Sequence, residues 1–275
     1  MRIDSHQHFW RYNAAEYGWM KPHWPIRRDF LPADLEPELR ACVLDGCVAV
    51  QARQTLEESR WLLELADSAP IIKGVVGWVD LRSEHVEEQL AQFSQHPKFM
   101  GVRHVVQDEP DDNFMLRPDF LRGIGKLEQF DLTYDILIFP NQLPAAIELA
   151  KRFPEQSFVL DHIAKPFIKD QVLSPWREQI RELAQSPNAW GKVSGLVTEA
   201  KWQGWKTDDF KPYLDAVFEA FGSDRMIYGS DWPVCLLAGS YAGVFKLMKN
   251  YVSRLGPDVE AKFFGLNAAR FYGLV

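Results

Sequence analysis

Two imidazoles stand two residues apart in Ile3-Asp4-Ser5-His6-Gln7-His8-Phe9-Trp10, at the end of a short apolar run. On a β-strand, side chains at i and i+2 leave the same face, so His6 and His8 can offer neutral nitrogens to one divalent cation. Late in the chain, Tyr228-Gly229-Ser230-Asp231-Trp232-Pro233 brings an apolar run to a sharp turn and leaves a carboxylate at its mouth. Asp231 there can ligate a metal or take a proton from water attacking an ester carbonyl. Between these lie Arg103-His104 and the run Phe158-Val159-Leu160-Asp161-His162-Ile163-Ala164-Lys165-Pro166. His162 can coordinate a metal, protonate a leaving oxygen or hold a carbonyl. Arg103 carries a fixed positive fork suited to an oxyanion or carboxylate, and Lys165 can bind either group. Each residue alone also has a structural role open to it: a chance histidine pair, an Asx turn at Asp231, a rim salt bridge for Arg103, a snorkelling Lys165.

Elements must carry these groups to one place. Short β-branched or apolar runs bounded by turn residues predict eight strands, at 2–6, 46–51, 72–79, 99–105, 133–139, 157–162, 189–195 and 226–231. Helical periodicity follows most of them, at 56–68, 84–95, 118–130, 143–152, 175–185, 211–221 and 241–255, several with a proline near the start. Strand and helix in alternation imply parallel strands joined by crossovers. Eight such units predict an α/β chain folded as a single (β/α)8 TIM barrel over residues 1–275.

Barrel enzymes gather their chemistry at the C-terminal strand ends. Here those ends carry His6 and His8, Gln51, Trp78 with Asp80, Arg103 with His104, Asp135, His162 with Lys165, Ser194, and Asp231 with Trp232. Neighbouring strand residues point to opposite faces, so one of Arg103 and His104, and one of Tyr134 and Asp135, should face the interior; local sequence leaves both choices open.

Composition narrows the functional classes. The 275 residues are 47% hydrophobic and 25% charged, ordinary for a globular enzyme and far from disorder. A net charge of −7 without a basic stripe gives no support to nucleic-acid binding. Cys42, Cys47 and Cys235 are odd in number and lack CxxC spacing, which argues against a disulfide framework or a cysteine zinc site. No signal-peptide h-region or membrane span is legible, so a cytoplasmic protein without a membrane partner is expected. No GxGxxG or GxxxxGK[ST] loop follows the early strands, which weakens nucleotide readings.

Taken together and in this order, His6-Gln7-His8, Arg103-His104, Asp161-His162-Ile163-Ala164-Lys165-Pro166 and Gly229-Ser230-Asp231-Trp232-Pro233 make the chain resemble the amidohydrolase superfamily. The likeness runs almost end to end. Within the superfamily it is most similar to the amidohydrolase-2 type sugar-lactone hydrolases, the group acting on L-fuconolactone and L-rhamnonolactone, with the pyrone dicarboxylate lactonases more distant. The resemblance implies a distorted barrel of the metal-dependent hydrolase type, with His6, His8, His162 and Asp231 around the reacting carbonyl. Many members carry a bridging lysine at strand four and a histidine at strand five; Arg103 or His104 and Asp135 stand there instead, which points away from a two-metal centre. One divalent ion, zinc first, is therefore expected on His6, His8 and Asp231, with His162 as a fourth candidate and occupancy weak or dispensable.

The resulting expectation is hydrolysis of a sugar-acid lactone to the open aldonic acid, a reaction of carbohydrate metabolism. Asp231, His162 and Arg103 would be catalytic. Gln51, Trp78, His104, Asp135 and Lys165 would bind hydroxyls or shape the pocket. With only Arg103 and Lys165 as obvious anion anchors, a neutral polyol lactone is favoured over a dicarboxylate. Two rivals belong to other classes: a zinc-dependent decarboxylase or other lyase, and a non-catalytic ligand-binding barrel.

Overall fold

Runs such as Gly46-Cys47-Val48-Ala49-Val50 are apolar on both faces, and in the structure, a computed structural model describing residues 1–274, they become buried parallel strands. The strands are β1 (Ile3–Gln7), β2 (Gly46–Val50), β3 (Ile72–Gly77), β4 (Phe99–Val105), β5 (Thr133–Leu137), β6 (Phe158–Leu160), β7 (Ala189–Val193) and β8 (Met226–Tyr228). They pair in sequence order, every pair parallel. The ring closes where Gln7 bridges Trp232, the Asp231 amide donates to the His6 carbonyl (2.8 Å) and the His8 amide donates to the Trp232 carbonyl (2.7 Å). The expected (β/α)8 barrel is the fold.

Around the strands lie α1 (Pro32–Ala41), α2 (Leu56–Ser68), α3 (Val86–Phe93), α4 (Pro118–Leu127), α5 (Leu143–Arg152), α6 (Trp176–Leu183), the single turn α7 (Leu196–Glu199), α8 (Thr207–Phe221), α9 (Tyr241–Val252), α10 (Pro257–Ala261) and α11 (Asn267–Tyr272). α1 lies outside the helices that periodicity predicted, and α8 starts four residues earlier than expected, carrying Pro212 inside it. α2 shows how the helices serve the rim. Thr55 caps it by accepting from the Glu58 amide (3.1 Å), and the Glu58 carboxylate turns back to accept from the amides of Ala52 and Arg53 (3.0 and 2.7 Å), fixing the loop above β2. Among the described residues no helix is long and apolar enough to cross a membrane.

Inside the barrel, Ile3, Val48, Val50, Val76, Val159 and Ile227 form an apolar floor against Phe271, Tyr272 and Leu274. Polar residues are thereby confined to the layers above. β6 and β8 are shorter than predicted, because the chain enters the left-handed region at His162 (φ 54°) and Asp231 (φ 58°). These two residues sit on turns at the mouth instead of on strands.

Asp4 holds the closing seam. Its fully buried carboxylate accepts from the Ser230 amide (2.8 Å), the Ser230 hydroxyl (2.6 Å), the Tyr241 hydroxyl (2.9 Å) and the His6 amide (3.2 Å). Burial nevertheless pushes its pKa up to about 6, Asp135 likewise to about 6 and Glu58 to about 7. A carboxyl raised on folding contributes stability that is complete below its unfolded pKa and lost as pH rises through the folded value. Thermal unfolding is therefore expected to show Tm falling between about pH 4 and 7. Asp4→Asn should make that fall shallower, and an unchanged slope would remove Asp4 from the cause.

Candidate active site

Strand register decides which of the predicted residues meet. Arg103 faces inward opposite Asp135 on β5, and His104 faces the helices. The His104 ring stacks on Phe114 (centroids 5.0 Å apart), its Nε2 lies 2.7 Å from the Glu109 carboxylate, and its Nδ1 accepts from Trp78 Nε1 (3.3 Å). Tyr134 likewise packs outward against Phe120 and Phe158.

The inward face opens into a cavity of about 600 Å³ at the C-terminal ends of the strands. His8, Arg103, His162, Lys165 and Asp231 line it. Gln51, Trp78, His104 and Asp135, expected to bind hydroxyls or shape the pocket, lie outside its lining. Gln51 is spent on Arg103, Trp78 and His104 lie in the outer layer, and Asp135 lies fully buried, holding Lys192 and the Tyr272 hydroxyl. Much of the remaining wall comes from loops that strand-end reasoning passes over: Trp10, Glu16 and Trp19 before α1, Arg53, Gln54 and Thr55 before α2, Gln107 and Asp108 after β4. Glu16 and Arg53 form an ion pair across it (2.6 Å).

At the head of the cavity, one ligating atom each from His6, His8 and Asp231 lies within 4.8 Å of the others. His8 Nδ1 is 2.8 Å from the Val50 carbonyl, which can only accept. Nδ1 therefore carries the proton, and the Nε2 lone pair faces Asp231 Oδ1 at 3.4 Å. A lone pair against a carboxylate calls for a cation or a proton between them, so the donor set fits a divalent ion. His6 Nε2 lies 3.9 Å from the same oxygen but also 3.1 Å from the Arg103 guanidinium, a donor an ion would have to displace. His162 stands beside them, its ring centroid 4.6 Å from that of His6 and its Nδ1 2.8 Å from the Ser194 hydroxyl.

Electrostatics separate the two groups proposed for proton transfer. Burial holds His162 well below the ordinary imidazole value, so it is neutral at physiological pH. For Asp231 burial acts upward, but its neighbours His162, His8 and the Lys165 ammonium outweigh it and leave the carboxyl below its usual range. An ionised carboxylate beside a neutral imidazole can pass a proton from water to a leaving group.

Backbone geometry at this spot is unusual. His162, Ile163, Ala164 and Lys165 all have φ between 46° and 59°, and Ile163 is β-branched. Each such residue costs about 1–2 kcal/mol, so surrounding contacts must impose the turn. One is the hydrogen bond from Trp176 Nε1 to the Ile163 carbonyl (2.8 Å). Gly195 (φ 63°) packs so closely that a Cβ would lie 2.6 Å from His162 Nδ1 and 3.0 Å from Asp231 Oδ2. Gly195→Ala is therefore expected to lower kcat about tenfold or more through displacement of His162. Steady-state kinetics check it, and an unaltered kcat would show the imidazole to be free to shift.

Two further buried residues lie beside the predicted ones, Asp161 within the motif at 161–166 and Lys192 outside any motif. Asp161 and Lys192 are both fully buried and paired at 2.7 Å, with Asp161 also joined to Arg103 (3.0 Å) and facing His6 Nδ1 (3.3 Å). The available signal was a lysine inside the apolar run Ala189-Trp190-Gly191-Lys192-Val193, in phase with Ser194.

A family model described as amidohydrolase matches residues 3–274. An L-fucono-1,5-lactonase of Burkholderia multivorans is 43% identical over all of this chain and 96% of its own length. One from Burkholderia ambifaria is 40% identical over 98% of this chain and 95% of its own. A crystal structure of a Burkholderia multivorans amidohydrolase with bound zinc superposes with a TM-score of 0.96 at 43% identity, covering both chains completely.

Proposed function

The chain belongs to the amidohydrolase family, and from that premise we propose that it opens a neutral sugar-acid lactone of the L-fuconolactone kind to the aldonic acid, with Asp231 and His162 as its proton-handling pair. It is a lactone-hydrolysing enzyme, and the observation carrying the mechanism is the ionised Asp231 beside neutral His162 at the head of the cavity. Asp231 takes a proton from water as the water oxygen bonds to the lactone carbonyl carbon. The carbonyl π electrons move onto oxygen and return as the ring carbon–oxygen bond breaks. The departing ring oxygen receives the proton that Asp231 took from water, directly or relayed through His162, which accepts it at one nitrogen as it donates from the other. Asp231 ends as it began, and the new carboxylic acid releases a proton to solvent.

Lys165 lines the cavity and can meet the developing oxyanion directly. Arg103 is less free. Its guanidinium makes five hydrogen bonds, to Gln51 through Nε and the second terminal nitrogen and to His6 and Asp161 through the first. Those equal its donor capacity, so it reaches an oxyanion only by releasing a partner. We assign zinc to His6, His8 and Asp231, with His162 adjacent; when bound it would polarise the carbonyl and acidify water. Glu16, Gln54, Gln107 and Asp108 supply hydroxyl partners along the wall, and the Glu16–Arg53 pair leaves little uncompensated positive charge for a second carboxylate. The buried, unpaired cysteines suit a reducing compartment, and we place the enzyme in the cytoplasm.

A panel of sugar lactones, read by acid release with metal-free and zinc-supplied protein, tests this reading. Neutral polyol lactones should open faster than dicarboxylate ones. Lactones opening no faster than in buffer, or carbon dioxide release from an unsaturated acid in their place, would overturn it.

A further inference from the structure

Beneath the cavity lies a chain of buried charge, centred on Lys192, whose lower members the reaction as written does not use. Lys192 is fully buried on β7, its Nζ 2.5 Å from an Asp135 oxygen and 2.7 Å from Asp161 Oδ1. The Tyr272 hydroxyl, from the C-terminal helix, donates to the same Asp135 oxygen (2.8 Å). Asp161 Oδ2 accepts from Arg103 (3.0 Å), and Oδ1 faces His6 Nδ1 at 3.3 Å. We propose that Lys192 and Asp161 form a positioning unit that fixes the tautomer of His6 and the aim of Arg103, so that turnover depends on a lysine that never touches substrate. The inference rests on the lactone-hydrolase reading for its kinetic consequence alone.

Proton inventory supports it. A guanidinium only donates, so the His6 nitrogen 3.1 Å from Arg103 must be the acceptor, which leaves Nε2 with its lone pair and Nδ1 with the proton. That nitrogen lies 3.3 Å from Asp161 Oδ1, near enough for the carboxylate's charge to favour the proton there and leave the other nitrogen free for work. Asp161 can hold this pose because Lys192 grips the same oxygen.

Charge and burial argue that stability is not the whole purpose. Two carboxylates, a lysine and an arginine, each at most 4% exposed, sum to zero charge directly above an apolar floor. A buried ion network of this kind is often replaceable by apolar side chains without loss of stability, whereas removal of one member leaves an uncompensated charge. What apolar filling could not supply is the fixed proton on His6. Asp161 also precedes the left-handed turn at His162, so its anchoring reaches the proposed leaving-group acid through the chain itself.

Three measurements test the unit. In the wild-type protein, histidine-selective 15N NMR, assigned with His6→Gln, should show His6 protonated at Nδ1; a proton on Nε2 would overturn the proposal whatever the reaction proves to be. Lys192→Met should lower kcat at least 30-fold with KM within twofold, lower Tm, and mix the His6 tautomers. Adding Asp135→Asn removes the opposing charge, so the double variant should regain Tm without regaining kcat or the single tautomer. Recovery of kcat alongside Tm would reduce Lys192 to a counter-ion for Asp135. Should Lys192→Met not fold, the double variant and the isosteric Asp161→Asn carry the same comparison, and full turnover in either would overturn the proposal. If the wild-type protein opens no lactone, the reaction reading fails and the tautomer measurement still decides the unit.

Discussion

Asp231→Asn is expected to lower kcat about 10³-fold while leaving KM within a few-fold, because general-base assistance is worth roughly 10²–10⁴ and the amide keeps the side chain's shape. Asparagine preserves the backbone bond from residue 231 to the His6 carbonyl, so the barrel seam should stay closed. It cannot take a proton from water. Since the Asp231 carboxyl lies below its usual range, the wild-type acid limb of kcat/KM should fall below the ordinary carboxylate value, with a flat plateau above about pH 5. The sign follows from charge. A base held ionised by His162, His8 and Lys165 loses activity only when acid protonates it. Undiminished kcat in Asp231→Asn would remove Asp231 from the base role and leave His162 or a bound ion to activate water.

The second large effect is on stability. Asp4→Ala should cost about 3–5 kcal/mol, since it strips two backbone amides and two hydroxyls of their common acceptor inside the closing seam. Asp4→Asn should be milder, at about 1–2 kcal/mol. Ser230 and Tyr241 can rotate their hydroxyl hydrogens and accept from the amide nitrogen, and the amide oxygen keeps the two backbone donors. Denaturant unfolding of the two variants separates the cases. Equal losses would mean that the negative charge, and not the acceptor count, holds β1 to β8. Because the Ser230 amide and hydroxyl both bind Asp4, the alanine variant should also lower kcat by loosening Asp231 next door.

Several elements are legible in the sequence alone. The run 99–105 predicts a strand and forms β4 over the same span, because an apolar run bounded by turn residues satisfies a parallel strand buried on both faces. α2 and α5 likewise keep their expected limits, their apolar periodicity matching a helix packed on one side. His6 and His8 share a face because strand geometry repeats every two residues, and Asp231 joins them because strand ends in a closed barrel converge on one mouth. Local chemistry and period are enough for such inferences.

Tertiary structure alone decided the rest. Arg103 and His104 have equal claims in sequence, and only pairing with β5 turns the first inward. Asp135 also faces inward, yet its carboxylate is fully buried against Lys192 and the Tyr272 hydroxyl, partners that only the closed barrel supplies. Gln51 is inside and still unavailable, because Arg103 takes its acceptor oxygen. The left-handed turn at His162 is imposed by contacts such as the bond from Trp176, since the residues of that turn would not adopt it unaided. Asp161 and Lys192 become interpretable only once β6 and β7 bring their charges within 2.7 Å. The sequence determined which chemical groups the barrel carries and that they gather at one end. Which of them reach the cavity, which are spent on one another, and where the protons sit depend on register, depth and partner, and these exist only when the strands close.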